Sequence, residues 1–205
     1  MSAPLHGLLL AGGKSRRMGS DKADLVINGP LSLRDRGLQL LDGVTEATYL
    51  LVAQDDERSY NSCTIRDLRP DAGPLARLEA AFRNAPESAW LVTACDLPFL
   101  TQEVLQQLCE SRDPECEATC FTSRFDSQPE PLCAIYEPGA AASLTRALDS
   151  GVGCARKFLF SLERRELALI DQAALDNCNR PEDLEEARRA LAGERTTKTI
   201  MVEYC

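Results

Sequence analysis

Residues 8–22 read LLLAGGKSRRMGSDK. An apolar run meets two glycines, and four basic residues follow within nine positions with one acid, Asp21, among them. A short apolar run that stops at glycine is the pattern of a strand buried on both faces. In an open α/β sheet, ligands bind beyond the carboxyl ends of the strands, and the loop starting at Gly12 is expected there. Gly12 and Gly13 let the backbone take positive φ and approach a ligand closely. Successive N–H groups in such a loop form an anion-binding nest. With Lys14, Arg16, Arg17 and Lys22 around it, the loop is suited to a polyphosphate; the alternative is a solvated basic turn. Its spacing is neither Gly-x-x-x-x-Gly-Lys-[Ser/Thr] nor Gly-x-Gly-x-x-Gly, which argues against a P-loop and against a dinucleotide oxidoreductase.

Working outward, apolar runs alternate with helical patterns. Strands are expected at 6–11, 47–53, 63–68, 89–95, 117–123, 131–137 and 167–171. Helices are expected at 31–43, 74–85, 101–111, 139–150, 155–163 and 180–193. Pro74 stands at a helix start, Thr101 is a candidate N-cap, and Gly43 and Gly193 are stop signals. This alternation, with nearly continuous apolar strands, predicts an α/β protein: a mainly parallel sheet covered by helices on both faces. Residues 1–193 read as one domain. The segment 194–205 differs, a polar stretch followed by the alternating TIMVEYC, and reads as an edge strand or as the opening of a further domain.

Bulk properties narrow the function. The chain has 205 residues, 44% hydrophobic and 27% charged, with 32 Asp and Glu against 23 Lys and Arg. A net charge of −9 argues against nucleic acid or an anionic membrane as partner, since both need a basic face. One anionic ligand in a local basic pocket stays compatible with it. No apolar stretch approaches the roughly 20 residues of a transmembrane helix, and the N-terminus has no signal-peptide pattern, so a cytoplasmic location is expected. Nine cysteines are irregularly spaced without a Cys-x-x-Cys pair, and His6 is the only histidine. A Cys/His zinc site is therefore not expected; reduced, mostly buried thiols are.

The segment LLAGGKSRRMGSDKADL resembles the signature Leu-Ala-Gly-Gly-x-Ser-x-Arg-Met-Gly-x-Asp-Lys of the molybdenum cofactor guanylyltransferases, MobA-type members of the nucleotidyltransferase superfamily. DAGPLARL (71–78) is similar to the family's Gly-Pro-Leu-Ala-Gly segment, and LVTACDLPFL (91–100) to its strand ending in Cys-Asp-x-Pro. EPLCAIY (130–136) and NCNRPEDL (177–184) resemble two later blocks. The resemblance runs from about residue 6 to 190 and implies a three-layer αβα, Rossmann-like fold, as in the nucleotide-diphospho-sugar transferases. It also implies the reaction: the terminal phosphate of molybdopterin attacks the α-phosphate of GTP and pyrophosphate leaves.

Such a reaction needs charge stabilisation and in-line positioning more than a covalent nucleophile. The resemblance implies Mg²⁺ as cofactor, with Asp96 as the leading ligand, expected at a strand's carboxyl end, and Asn179 as a second ligand or water-mediated contact. Turn formation for Asp96 and helix capping for Asn179 are the alternatives. Arg17 and Lys22 match the signature's basic residues and are assigned with Asp96 to catalysis; Lys14 and Arg16 fall at variable positions. Leu10, Ala11, Gly12, Gly13, Arg17, Lys22, Gln54, Asp67 and Asp96 form the expected nucleotide site. The resemblance also implies a base-reading aspartate after the third strand, which Asp67 fits best with Asp71 as competitor; a carboxylate suits guanine because it accepts from N1–H and N2–H together. Gln54 stands where the family has asparagine, and Arg180 where it usually has threonine. Gly12-Gly13 in place of Ala-Gly leans toward guanine over cytosine. Arg156 and Lys157 read equally as contacts to the pterin phosphate or as an exposed helix face.

Three functions follow from the resemblance. The first is Mg²⁺-dependent transfer of GMP to molybdopterin, in contact with other proteins of cofactor assembly. The second is a related nucleotidyltransferase with another NTP or acceptor, such as a cytidylyl donor or a sugar phosphate. The third is a nucleotide-binding domain with impaired catalysis, suggested by positions 54 and 180 and by TKTIMVEYC, which resembles the first strand of the small sulfur carrier of molybdopterin synthesis.

Overall fold

The computed structural model describes residues 2–11, 22–69 and 73–193. The apolar run after residue 4 forms β1 (Leu5–Leu10), an interior strand of a seven-stranded sheet. β2 (Ala47–Val52), β3 (Cys63–Arg66) and β4 (Ala89–Ala94) run parallel to it, giving the local order β3-β2-β1-β4. β5 (Ala118–Thr122), β6 (Pro129–Tyr136) and β7 (Arg164–Leu167) complete the order β3-β2-β1-β4-β6-β5-β7. β6 alone runs antiparallel to its neighbours. The reason is the short turn between β5 and β6. A few residues close a hairpin, whereas a parallel neighbour needs a crossover of a dozen or more.

Side-chain alternation along the central strands divides the interior into two cores. Leu9, Leu50, Leu91 and Ile135 face α1 (Leu33–Asp42) and α3 (Gln102–Glu110) on one side, with Leu41, Leu105 and Leu108. Leu8, Leu51, Trp90 and Ala134 face α2 (Gly73–Asn84), α4 (Ala140–Asp149) and α5 (Ala155–Ser161), with Leu78, Phe82, Leu144 and Phe158. A sheet buried on both faces cannot alternate polar and apolar residues, which is why its strands read as continuous apolar runs. α6 (Pro181–Leu191) follows β7 and packs with Leu25, Ile27 and Phe99 in a smaller cluster.

Element boundaries shift in instructive places. The expected strand at 167–171 is displaced: β7 covers Arg164–Leu167 and pairs in parallel with β5. As an edge strand it carries charged residues toward water, while Leu169, the apolar residue that suggested a strand, is buried in the core from the loop that follows. Ser32 rather than a residue at 31 starts α1: its hydroxyl donates to Asp35 Oδ2 at 2.7 Å and accepts from Asp35 N at 3.1 Å. Thr101 occupies the N-cap of α3 with an extended backbone but caps no helix N–H. No helix among the described residues is long and apolar enough to cross a membrane.

Of the described cysteines, Cys63, Cys95, Cys109, Cys116, Cys120, Cys133 and Cys178 are free thiols. Cys120, Cys133 and Cys178 are buried, and Cys63 is exposed. Burial pushes the Cys120 and Cys178 thiols up to about 12 and Cys133 higher still. A thiol-reactive probe at pH 7.5 should label Cys63 in the folded protein and leave these three unmodified until denaturant is added, as read by peptide mass. Gly37 in α1 supplies a second test. A Cβ there would stand 2.8 Å from Leu9 Cδ1, and Leu9 is fully buried and has nowhere to move. Helix propensity alone would reward Gly37→Ala by up to about 1 kcal/mol, but overpacking costs about 1–3 kcal/mol. Urea denaturation should therefore show Gly37→Ala less stable than the wild type, by about 1 kcal/mol.

Candidate active site

Four parallel strands end at one edge of the sheet, and the chain leaves each with a residue of interest. β1 ends at Leu10 and Ala11, both buried. β4 ends at Ala94, in register with Leu10, and Asp96 follows two residues on. β6 starts at this same edge because it runs the other way, which brings Glu130 there. The segment before α6 then passes across: Cys178 N donates to Asp96 O at 2.9 Å.

Lys22 opens a short 3₁₀ turn, Lys22–Asp24, and is 9% exposed. Its ammonium donates to Asp96 Oδ2 at 3.1 Å and to Asn179 Oδ1 at 3.1 Å. Three residues from distant parts of the chain thus meet at one point. The capping alternative for Asn179 does not hold, since Asp183 Oδ2 accepts from both Asn179 N and Arg180 N at 2.8 Å. The Asn179 side chain is left to face Lys22. Arg180 itself is exposed.

Beside this cluster opens a cleft of about 260 Å³, lined among others by Asp96, Glu130, Pro131, Arg156, Asn177 and Asn179. Arg156 is not the exposed helix face that one reading allowed. Its side chain is only 15% exposed, and its guanidinium lies 2.6 Å from Asp126 and 3.7 Å from Glu130. Lys157 next to it is exposed. Two cleft residues escaped the sequence reading. Glu130 is almost fully buried, and Asn177 Oδ1 is buried with no hydrogen-bond partner among the described residues. An unpaired buried amide oxygen is costly, so one beside a cleft marks a place for a donor from a ligand or water. The Asn-x-Asn spacing at 177 and 179 was the available signal. Cys133 also lines the cleft, but burial holds its thiol protonated, so it offers no nucleophile.

The expected base-reading residues are placed differently. Asp67, just beyond β3, is 5% exposed and already engaged: Oδ1 accepts from Arg69 N at 3.0 Å and Oδ2 lies 3.3 Å from Arg77 Nε. Arg77 occupies the last position of the segment that resembles Gly-Pro-Leu-Ala-Gly. Gln54, just beyond β2, is exposed, and its carbonyl accepts from Arg66 at 3.2 Å. Gly12, Gly13, Lys14, Arg16, Arg17, Asp71 and the segment 194–205 lie outside the described residues.

The donor set suits a small hard cation. A carboxylate oxygen and an amide oxygen converge on one ammonium, a cation in the place where a metal would be held, and Mg²⁺ characteristically takes one or two protein oxygens and keeps waters. No cluster of three or more His, Cys, Asp or Glu side chains that could hold a metal is present among the described residues.

Comparison with known proteins agrees with this geometry. Residues 7–166 match the family model described as the MobA-like NTP transferase domain. A probable molybdenum cofactor guanylyltransferase of Synechococcus elongatus is 34% identical over 186 residues, covering 86% of this chain and 94% of that protein. A molybdenum cofactor biosynthesis bifunctional protein of Synechocystis is 30% identical across 88% of this chain, which spans about half (52%) of that longer relative. Among solved structures, a molybdopterin-guanine dinucleotide biosynthesis protein A from Archaeoglobus fulgidus superposes with a TM-score of 0.75 at 27% identity, covering 92% of this chain and 99% of that one. The strand order, the glycine-rich signature and the convergence at Lys22 carry the same conclusion: the chain belongs to the MobA-like NTP transferase family.

Proposed function

We propose that this protein transfers GMP from GTP to the terminal phosphate of molybdopterin, forming the guanine dinucleotide and releasing pyrophosphate. The observation that carries the proposal is the meeting of Lys22, Asp96 and Asn179 beside a cleft of ring-sized volume, about 260 Å³. A phosphate oxygen of the acceptor forms the new bond to the α-phosphorus as the bond to the bridging oxygen of the β-phosphate breaks. The electron pair stays with pyrophosphate. No protein nucleophile is needed.

Each residue then has a task. Lys22, with Arg17, offsets the charge that grows on the leaving pyrophosphate. Asp96 and Asn179 would hold Mg²⁺, which supplies neutralisation of phosphate oxygens when bound. The two oxygens that would hold the cation are the ones Lys22 donates to, which places its ammonium within reach of the same phosphates. Asn177, with its open amide oxygen, and Glu130 accept from ring N–H groups of the acceptor. Leu10, Ala11, Gly12 and Gly13 are assigned to the nucleotide's phosphates, and Gln54 and Asp67 to its base.

The pairing of Asp67 with Arg77 supports a second reading, in which the carboxylate is not available to guanine and another NTP is preferred. Pyrophosphate release should be measured with each of the four NTPs, with and without molybdopterin and with and without Mg²⁺. Turnover only with GTP, molybdopterin and Mg²⁺ supports the proposal. Turnover with CTP or with a sugar phosphate replaces it by the second reading, and GTP binding without release under any condition overturns it. Asp96→Asn should lower turnover at least about 100-fold while Trp90, fully buried, keeps its native emission. A folded Asp96→Asn variant with wild-type turnover would remove Asp96 from the mechanism.

A further inference from the structure

The turn joining β5 to β6 spends two opposite charges on two different walls of the cleft. Arg124 reaches one wall. Its Nε donates to Asp176 Oδ1 at 3.0 Å, and its Nη2 donates to Asp176 Oδ2, a two-pronged guanidinium–carboxylate pair. Asp176 is 4% exposed and immediately precedes the segment whose next three residues all serve the site. Asn177 lines the cleft, Cys178 N donates to Asp96 O, and Asn179 accepts from Lys22. Asp126 reaches a second stretch of the lining, where its Oδ2 accepts from Arg156 Nη1 at 2.6 Å at the start of α5.

The turn is built to hold these two side chains still. Ser123 N donates to Gln128 O at 2.8 Å and Ser127 N to Ser123 O at 3.0 Å. Asp126 Oδ1 accepts from Gln128 N at 3.1 Å, and Ser127 takes φ 55°, a left-handed conformation. The Arg124 guanidinium lies over the Phe125 ring, 4.5 Å from its centre. None of residues 123–128 lines the cleft. The turn therefore acts on the cleft from outside, through fixed fork geometry rather than by contact with what binds there.

We propose that Arg124 and Asp126 are positioning residues that set the separation of the two cleft walls and thereby the fit of the acceptor. The functional half rests on the reading of the cleft as the acceptor site; the structural half stands on the ion pairs alone. Arg124 matters more, because its loss leaves a buried carboxylate unpaired, whereas the Asp126 side chain is 45% exposed.

The test uses the full chain and two readouts. Hydrogen exchange read by mass should show amides of residues 176–179 exchanging faster in Arg124→Met than in the wild type, with residues 5–10 of β1 unchanged. Steady-state kinetics of Arg124→Met should show KM for molybdopterin raised about tenfold and KM for GTP raised by a clearly smaller factor, because Asn179 in the braced segment also serves the nucleotide, with Arg124→Lys in between because it keeps the charge and loses the fork. Asp126→Asn should raise the acceptor KM by a smaller factor and serves if Arg124→Met does not fold. Unchanged exchange at 176–179, or equal shifts in both KM values, would overturn the proposal. A wild type without turnover on molybdopterin would instead refute the acceptor reading, and the exchange experiment would still decide whether the turn braces the wall.

Discussion

One ammonium group joins three segments that are remote along the chain. Lys22 contacts Asp96, 74 positions away, and Asn179, 157 positions away, each at 3.1 Å. Burying a lysine is expensive unless its charge is matched, and here a carboxylate and an amide oxygen match it. The contact is possible only because β1 and β4 are parallel neighbours that end level with each other, Leu10 opposite Ala94. The loops after both strands then rise from the same edge, and the segment before α6 closes over them through Cys178 N and Asp96 O. The cleft exists beside this point because β6, running the other way, starts where its neighbours stop.

The same arrangement is compatible with the proposed polyphosphate site in a protein whose net charge is −9. Around the cleft, charges are arranged in opposed pairs: Arg124 with Asp176, Arg156 with Asp126 and Glu130, Lys22 with Asp96. Each pair fixes a backbone segment as well as a charge. Polyphosphate chemistry asks for little more than such placement, since the reaction is helped chiefly by position and by local neutralisation of charge.

Much of this was legible in the residues. The continuous apolar runs announced a sheet covered on both faces, and the two cores confirm it. Asp96 was expected past a strand's carboxyl end and is found there. Other parts could not be read. Leu169 and Ile170 looked like strand residues, but a buried loop leucine carries the same signal as a strand leucine, and β7 lies earlier, among charged residues on a sheet edge. The reversal of β6 was hidden because a buried strand reads alike in either direction. Glu130 and Asn177 stand in segments that drew attention for other residues; what marks them is burial beside a cleft, which sequence periodicity does not encode. The same holds for Asp67, whose contact with Arg77 no local pattern announces.

The sequence by itself determined the class of fold, the glycine-rich signature after the first strand, and the family, because these depend on local pattern: apolar period, glycine placement and residue order over a few positions. Tertiary structure alone decided which groups meet. Whether Asn179 caps a helix or faces Lys22, whether Arg156 is exposed or braced by Asp126, and which walls form the cleft depend on contacts between residues tens of positions apart. Such contacts are set by strand order and direction, and a chain pattern read locally carries no term for either.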